Sequence, residues 1–111
     1  MMKLFQVLLI TFGLLTTSVH AMTLEEYQAR KDESNIKYYV AGVGAGYYYT
    51  NNYLDTIGRA KLYCQPLSLN ISGETYPAIL ETYANSSGKK VKGVSVEIIL
   101  LKALVELYPC K

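Results

Sequence analysis

Apolar positions are densest at the end of the chain, from Val94 to Cys110. Val94, Ile98, Leu101, Val105 and Tyr108 recur at helical spacing and form one stripe of a predicted α-helix. Leu100, Leu104 and Leu107 form a second stripe beside it, and only Ser95, Lys102 and Glu106 share a polar face. A helix that is apolar over most of its circumference belongs inside a structure. Pro109 ends it, because proline lacks an N–H and disfavours a helical residue before it. The pattern predicts a core helix, and it also fits a helix that forms a subunit interface through Leu101 and Val105.

The earlier pattern predicts three more helices. Thr23 and Glu26 have the spacing of a capping box and open a short helix from Leu24 to about Arg30. Asp32 to Asn35 interrupts the pattern and offers a second cap. Ile36, Tyr39, Val40, Val43, Tyr47 and Leu54 then predict a long helix from about Asn35 to Asp55. Thr56 to Leu69 is a connector. Ser72 to Thr75 is a turn, and Pro77 fits the first turn of a third helix, from about Thr75 to Ala84. Asn85 to Gly93 is the loop into the last helix, although Val91 to Val96 also has the pattern of a short strand. The expected fold class is all-α: a small domain of about four helices.

Three glycines interrupt the long helix, and each costs about 1 kcal/mol relative to alanine. Gly42, Gly44 and Gly46 do not make a phosphate-binding loop, since no buried strand precedes them and no βαβ unit surrounds them. Gly42 and Gly46 share a helix face and would let a second helix approach closely. Tyr47, Tyr48, Tyr49 and Tyr53 follow at once. Tyrosine suits interfaces, being large, rigid and polar at one end; it also suits the rim of a protein's own core. With Tyr47, Leu101 and Val105, the two glycines are the candidate contacts of a two-fold homodimer.

Residues 1–21 have the pattern of an address. Lys3 gives a short positive start, Leu4 to Leu15 is almost continuously apolar, and Val19-His20-Ala21 is a small-x-small cleavage signal. The apolar run is too short to span a bilayer. Cleavage after Ala21, with no cysteine there for a lipid anchor, predicts a chain of residues 22–111 outside the cytoplasm, with no stable membrane insertion. The formal charge of +2 falls by one when Lys3 leaves, so nothing points to nucleic acid. Two cysteines remain, Cys64 and Cys110, and in an oxidising compartment they should pair.

The candidate chemistry is thin. The one histidine, His20, leaves with the leader, and both cysteines are committed to the staple. That removes the usual metal ligands, the thiol nucleophile and the usual base for a serine. Glu25 and Glu26 are adjacent and cannot face each other on a helix. The expectation is a non-enzyme with no cofactor and no metal. Asn70-Ile71-Ser72 and Asn85-Ser86-Ser87 match a glycosylation sequon, which matters only in a eukaryotic secretory pathway.

Three segments carry a family resemblance. Tyr39-Val40-Ala41-Gly42-Val43 lies in a Tyr-rich helix; Tyr63-Cys64-Gln65-Pro66 is an aromatic-Cys-x-Pro motif; and Ala103-Leu104 to Tyr108-Pro109-Cys110 is an Ala-Leu-x-x-x-aromatic-Pro-Cys ending. Together they resemble the type VI secretion amidase immunity proteins, the Tai and Rap immunity proteins, over nearly all of residues 22–111. The resemblance implies a small periplasmic all-α domain, usually dimeric, that inhibits a peptidoglycan-cleaving amidase toxin. On that reading the loop of Ser86, Ser87, Gly88, Lys89, Lys90 and Lys92 is the candidate plug for the amidase cleft, flanked by Glu81 and Asn85. The lysines would speed encounter with an acidic rim, or they merely keep a surface loop solvated. The competing function is a small periplasmic helical chaperone or structural protein of the cell envelope.

Overall fold

The computed structural model describes residues 21–66, 69 and 71–111. Most of the leader reading, on residues 1–20, therefore lies outside the described residues, as does Asn70 of the first sequon. The described chain is all-α. Four helices follow in order: α1 Leu24–Arg30, α2 Ser34–Thr56, α3 Thr75–Ser87 and α4 Val96–Leu107, with a 3-10 turn at Gly88–Val91 between the last two.

Local chemistry sets most of the boundaries. The Thr23 hydroxyl accepts from the Glu26 N–H at 3.2 Å and caps α1 as the capping-box spacing predicts. At the start of α2 the cap is Glu33, without a side-chain cap bond, and its carboxylate takes Arg30 Nη2 at 3.0 Å instead. Gly58, with φ 72°, supplies the left-handed residue that ends α2. The Arg59 N–H then closes onto the Leu54 carbonyl at 2.8 Å. α3 runs to Ser87, beyond the predicted end near Ala84.

The strand-like pattern of Val91 to Val96 resolves into the 3-10 turn and one antiparallel bridge, Thr23 to Ser95. The Leu24 N–H donates to the Val94 carbonyl at 3.0 Å, and the Val96 N–H to the Met22 carbonyl at 2.8 Å. Ser95 then caps α4, its hydroxyl accepting from the Ile98 N–H at 3.4 Å. Residues 22–24 thus brace the start of the last helix.

The two apolar stripes of α4 face different ways. Its buried side chains are Val96, Ile99, Leu100, Ala103 and Leu104. Ile98, Val105 and Leu107 are exposed, at 52, 39 and 55 %. The stripe through Ile98, Leu101 and Val105 faces outward, and the one through Leu100 and Leu104 faces inward. A helix with two apolar stripes in a chain this small is covered on one side only, by α2 and α3, and spacing alone does not select the side.

The buried face of α4 completes a core with Leu24 and Tyr27 of α1, Ile36 and Val40 of α2, and Tyr76, Leu80 and Ala84 of α3. Tyr63 from the connector joins it. Cys64 and Cys110 form the disulfide, with Cα atoms 4.9 Å apart across a sequence separation of 46. Beside it the Cys64 N–H donates to the Tyr108 carbonyl at 2.7 Å. The connector is thus tied to the end of α4 by a covalent bond and a hydrogen bond.

Candidate functional site

The segment predicted as an open plug loop is partly helical and braced. Ser86 and Ser87 are the last two residues of α3, and the Ser86 hydroxyl donates to the Tyr83 carbonyl at 2.9 Å. Gly88, Lys89 and Lys90 lie in the 3-10 turn, where Lys90 is exposed; for Gly88 and Lys89 only the backbone is described. Lys92 is exposed, yet its carbonyl accepts from the Glu25 N–H of α1 at 3.2 Å. Glu81 was expected on the exposed face of α3. It is half-buried instead, and Oε1 accepts from the Tyr27 hydroxyl at 3.0 Å. Burial first, then Glu81, raises the Tyr27 pKa well above its ordinary value. Asn85 remains exposed one turn further on.

Of the candidate dimer residues, Gly42, Gly46 and Val105 are exposed, while Tyr47 and Leu101 are half-buried. Gly42 and Gly46 are exposed, and a Cβ on either would meet nothing within 4 Å. Within the chain, close approach occurs at Gly44 instead, where an added Cβ would fall 2.3 Å from the ring of Tyr76. Gly44 is the notch through which α3 packs on α2. Tyr47 is half-buried and donates to the Glu97 carbonyl at 2.7 Å, while Tyr39 donates to the Glu97 side chain. That hydrogen bond, with burial and the nearby charge, pushes the Tyr39 pKa up to about 12. The two tyrosines stitch α2 to the first turn of α4. Leu101 is half-buried one turn beyond Glu97, and Ile98 and Val105 stand out beside it. On α2, Tyr38, Tyr49 and Tyr53 are 75, 69 and 64 % exposed.

A third feature was not read from the sequence. Asn51, buried in α2, donates from Nδ2 to the Tyr63 carbonyl at 3.0 Å and accepts the Leu62 N–H on Oδ1 at 2.8 Å. This clamp lays the connector along α2. The two elements and the start of α3 border a half-open cavity of about 460 Å³ lined by Tyr48, Tyr49, Lys61, Tyr63, Gln65 and Tyr76, among others. The Tyr63 hydroxyl and Gln65 Oε1 are buried without a hydrogen-bond partner. Burial, with the nearby Tyr76 and Tyr48, pushes the Tyr63 pKa up to about 12. One signal for the clamp was present: an asparagine on the apolar side of a long helix, between Tyr47 and Leu54. An asparagine there needs partners, but its spacing does not name them.

No family model, curated protein or solved structure matches the chain. Among the described residues no three His, Cys, Asp or Glu side chains gather closely enough to hold a metal ion. Nor is any helix among them long and apolar enough to cross a membrane. The disulfide is compatible with an oxidising compartment.

Proposed function

We propose that this chain is a periplasmic immunity protein that binds and inhibits a peptidoglycan-cleaving amidase effector of a type VI secretion system. One observation carries the binding reading: α2 and α4 expose Tyr38, Tyr49, Tyr53, Ile98 and Val105. Tyrosine is enriched at the centres of protein interfaces, and grouped exposed apolar side chains mark contact surfaces. The class of partner rests on the resemblance of the Tyr63 to Pro66 and Ala103 to Cys110 motifs to amidase immunity proteins. The absence of His20 from a cleaved chain, and the use of both cysteines in the staple, favour a binder over an enzyme.

In this reading two copies join through Gly42, Gly46, Tyr47, Leu101 and Val105. The segment carrying Lys89, Lys90 and Lys92 meets the amidase. The hydrogen bond from Glu25 holds that segment in place before contact, which lowers the ordering cost of binding. The test mixes residues 22–111 with candidate amidases and follows both binding by calorimetry and cleavage of peptidoglycan. Stoichiometric inhibition supports the reading, and a Lys89, Lys90, Lys92→Ala variant should slow association. Absence of inhibition, together with dissociation at low pH into a monomer that suppresses client aggregation, would establish the chaperone alternative instead.

A further inference from the structure

The cavity between α2 and the connector is built from fixed parts. Asn51 holds the connector at both of its polar atoms, and the Gly44 notch seats the Tyr76 ring. Nothing among the described residues satisfies the two polar atoms buried at its lining, the Tyr63 hydroxyl and Gln65 Oε1. Most buried polar atoms in folded proteins have a partner, and an orphaned one is costly. Two orphans on one cavity indicate that something polar completes it. Gln65 Oε1 can only accept, so the missing group must donate; the Tyr63 hydroxyl can do either.

The remaining lining narrows the chemistry. Tyr48 and Tyr49 stand edge to face with ring centroids 5.4 Å apart, and both are exposed at the cavity. Aromatic faces of this kind take a flat apolar surface. Among the described residues Lys61 is the one formally charged side chain in the lining, so a dication has no counter-charge there and a single carboxylate does. The volume, about 460 Å³, lies within the usual range for small-ligand sites. We propose that this cavity binds a single sugar ring, uncharged or carrying one carboxylate. Its hydroxyls donate to Gln65 Oε1 and pair with the Tyr63 hydroxyl, and its C–H face lies on the tyrosine rings. This site does not depend on the proposed amidase partner, and it lies on the side of α2 that faces the connector.

The experiment uses saturation-transfer difference NMR on residues 22–111 with glucose, N-acetylglucosamine and glucuronic acid as probes and glycerol as a control. At least one sugar is expected to bind with a dissociation constant of roughly 10 mM or tighter, with transfer from tyrosine ring protons and none to glycerol. Tyr63→Phe keeps the ring and removes the hydroxyl, and it should weaken that binding about tenfold, the worth of one hydrogen bond. Gln65→Leu is the second variant, expected to act in the same direction should Tyr63→Phe fail to fold. No transfer to any of the three sugars at 50 mM (roughly fivefold above the expected constant) would overturn the proposal. So would unchanged binding in a folded Tyr63→Phe or Gln65→Leu variant, since water alone would then complete the cavity.

Discussion

The two sides of α2 are built on opposite terms. On the side facing α3 and the connector, Gly44 receives the Tyr76 ring and Asn51 clamps the connector backbone. Two residues to either side of Gly44, Gly42 and Gly46 face open space, and Tyr53 stands exposed further along the helix. Identical residues in one helix therefore do different things. At Gly44 the missing side chain makes room for a neighbour that is present. At Gly42 and Gly46 it makes room for nothing within the chain, although each glycine still weakens the helix by about 1 kcal/mol. Conformational freedom is not the reason for any of the three, because none has a positive φ.

The packed side can be broken first at its covalent anchor. Cys110→Ser removes the tie between the connector and the end of α4, and should lower stability by about 2–5 kcal/mol in denaturant melts. Intact-mass analysis after alkylation should find no free thiol in the unreduced wild type. Next comes the notch. Gly44→Ala places a methyl group 2.3 Å from a ring that is almost fully buried, so either the ring or the helix must shift. A loss of about 1–3 kcal/mol is expected from such overpacking, read as a lower denaturation midpoint.

Gly42→Ala sharpens the contrast with the opposite sign. Its new methyl meets nothing, so the isolated chain should gain about 1 kcal/mol from helix propensity. If Gly42→Ala destabilises as much as Gly44→Ala, the two sides do not differ as described. Ile98→Lys tests what covers the open side. As a substitution at a half-exposed site it should move monomer stability by about 0.5 kcal/mol or less. It should nevertheless convert a two-fold dimer to a monomer in light scattering. A wild type that is already monomeric at high micromolar concentration would remove the dimer.

The smallest effect near neutral pH, and the most graded, comes from the tyrosines. The fold raises the pKa of Tyr27, of Tyr39 to about 12, and of Tyr63 to about 12, through burial and neighbouring carboxylates or hydroxyls. The folded state therefore holds these protons more tightly than the unfolded chain. Their contribution is complete below the ordinary tyrosine value near 10 and is lost as pH rises from about 10 through 12. Melting temperature should be insensitive to them below pH 9 and fall above pH 10. Tyr63→Phe should flatten that fall.

The elements were legible in the sequence because each rests on local chemistry. Thr23 with Glu26, the 3.6-residue pattern after Ile36, and Pro77 at a helix start all act within one or two turns. The disulfide was legible from the count of cysteines outside the leader. Which apolar stripe of α4 faces the core was not. Ile98, Leu101 and Val105 repeat as well as Ile99, Leu100 and Leu104 do, and the choice is made by α2 and α3 at long range. The state of the 86–92 segment was hidden for the same reason. Two glycines and three lysines have the composition of a loose loop, but the partner that fixes Lys92 is the N–H of Glu25, far away in sequence. Glu81 was placed outside because glutamate is usually solvated; the Tyr27 hydroxyl draws it inward.

The way α4 is held has a consequence for when the chain can fold. Its first turn is paired with residues 22–24, and its last is tied to Cys64. Between those ties it supplies Val96, Ile99, Leu100, Ala103 and Leu104 to the core. A growing chain that has not yet released residues 96–110 has α3 packed on α2 without α4, and residues 22–24 and Cys64 without their partners. Completing the fold therefore joins residues far apart in sequence, a closure with an entropic cost that local helices do not remove. Until those final residues are free, the core lacks the face that α4 supplies and the domain stays incomplete.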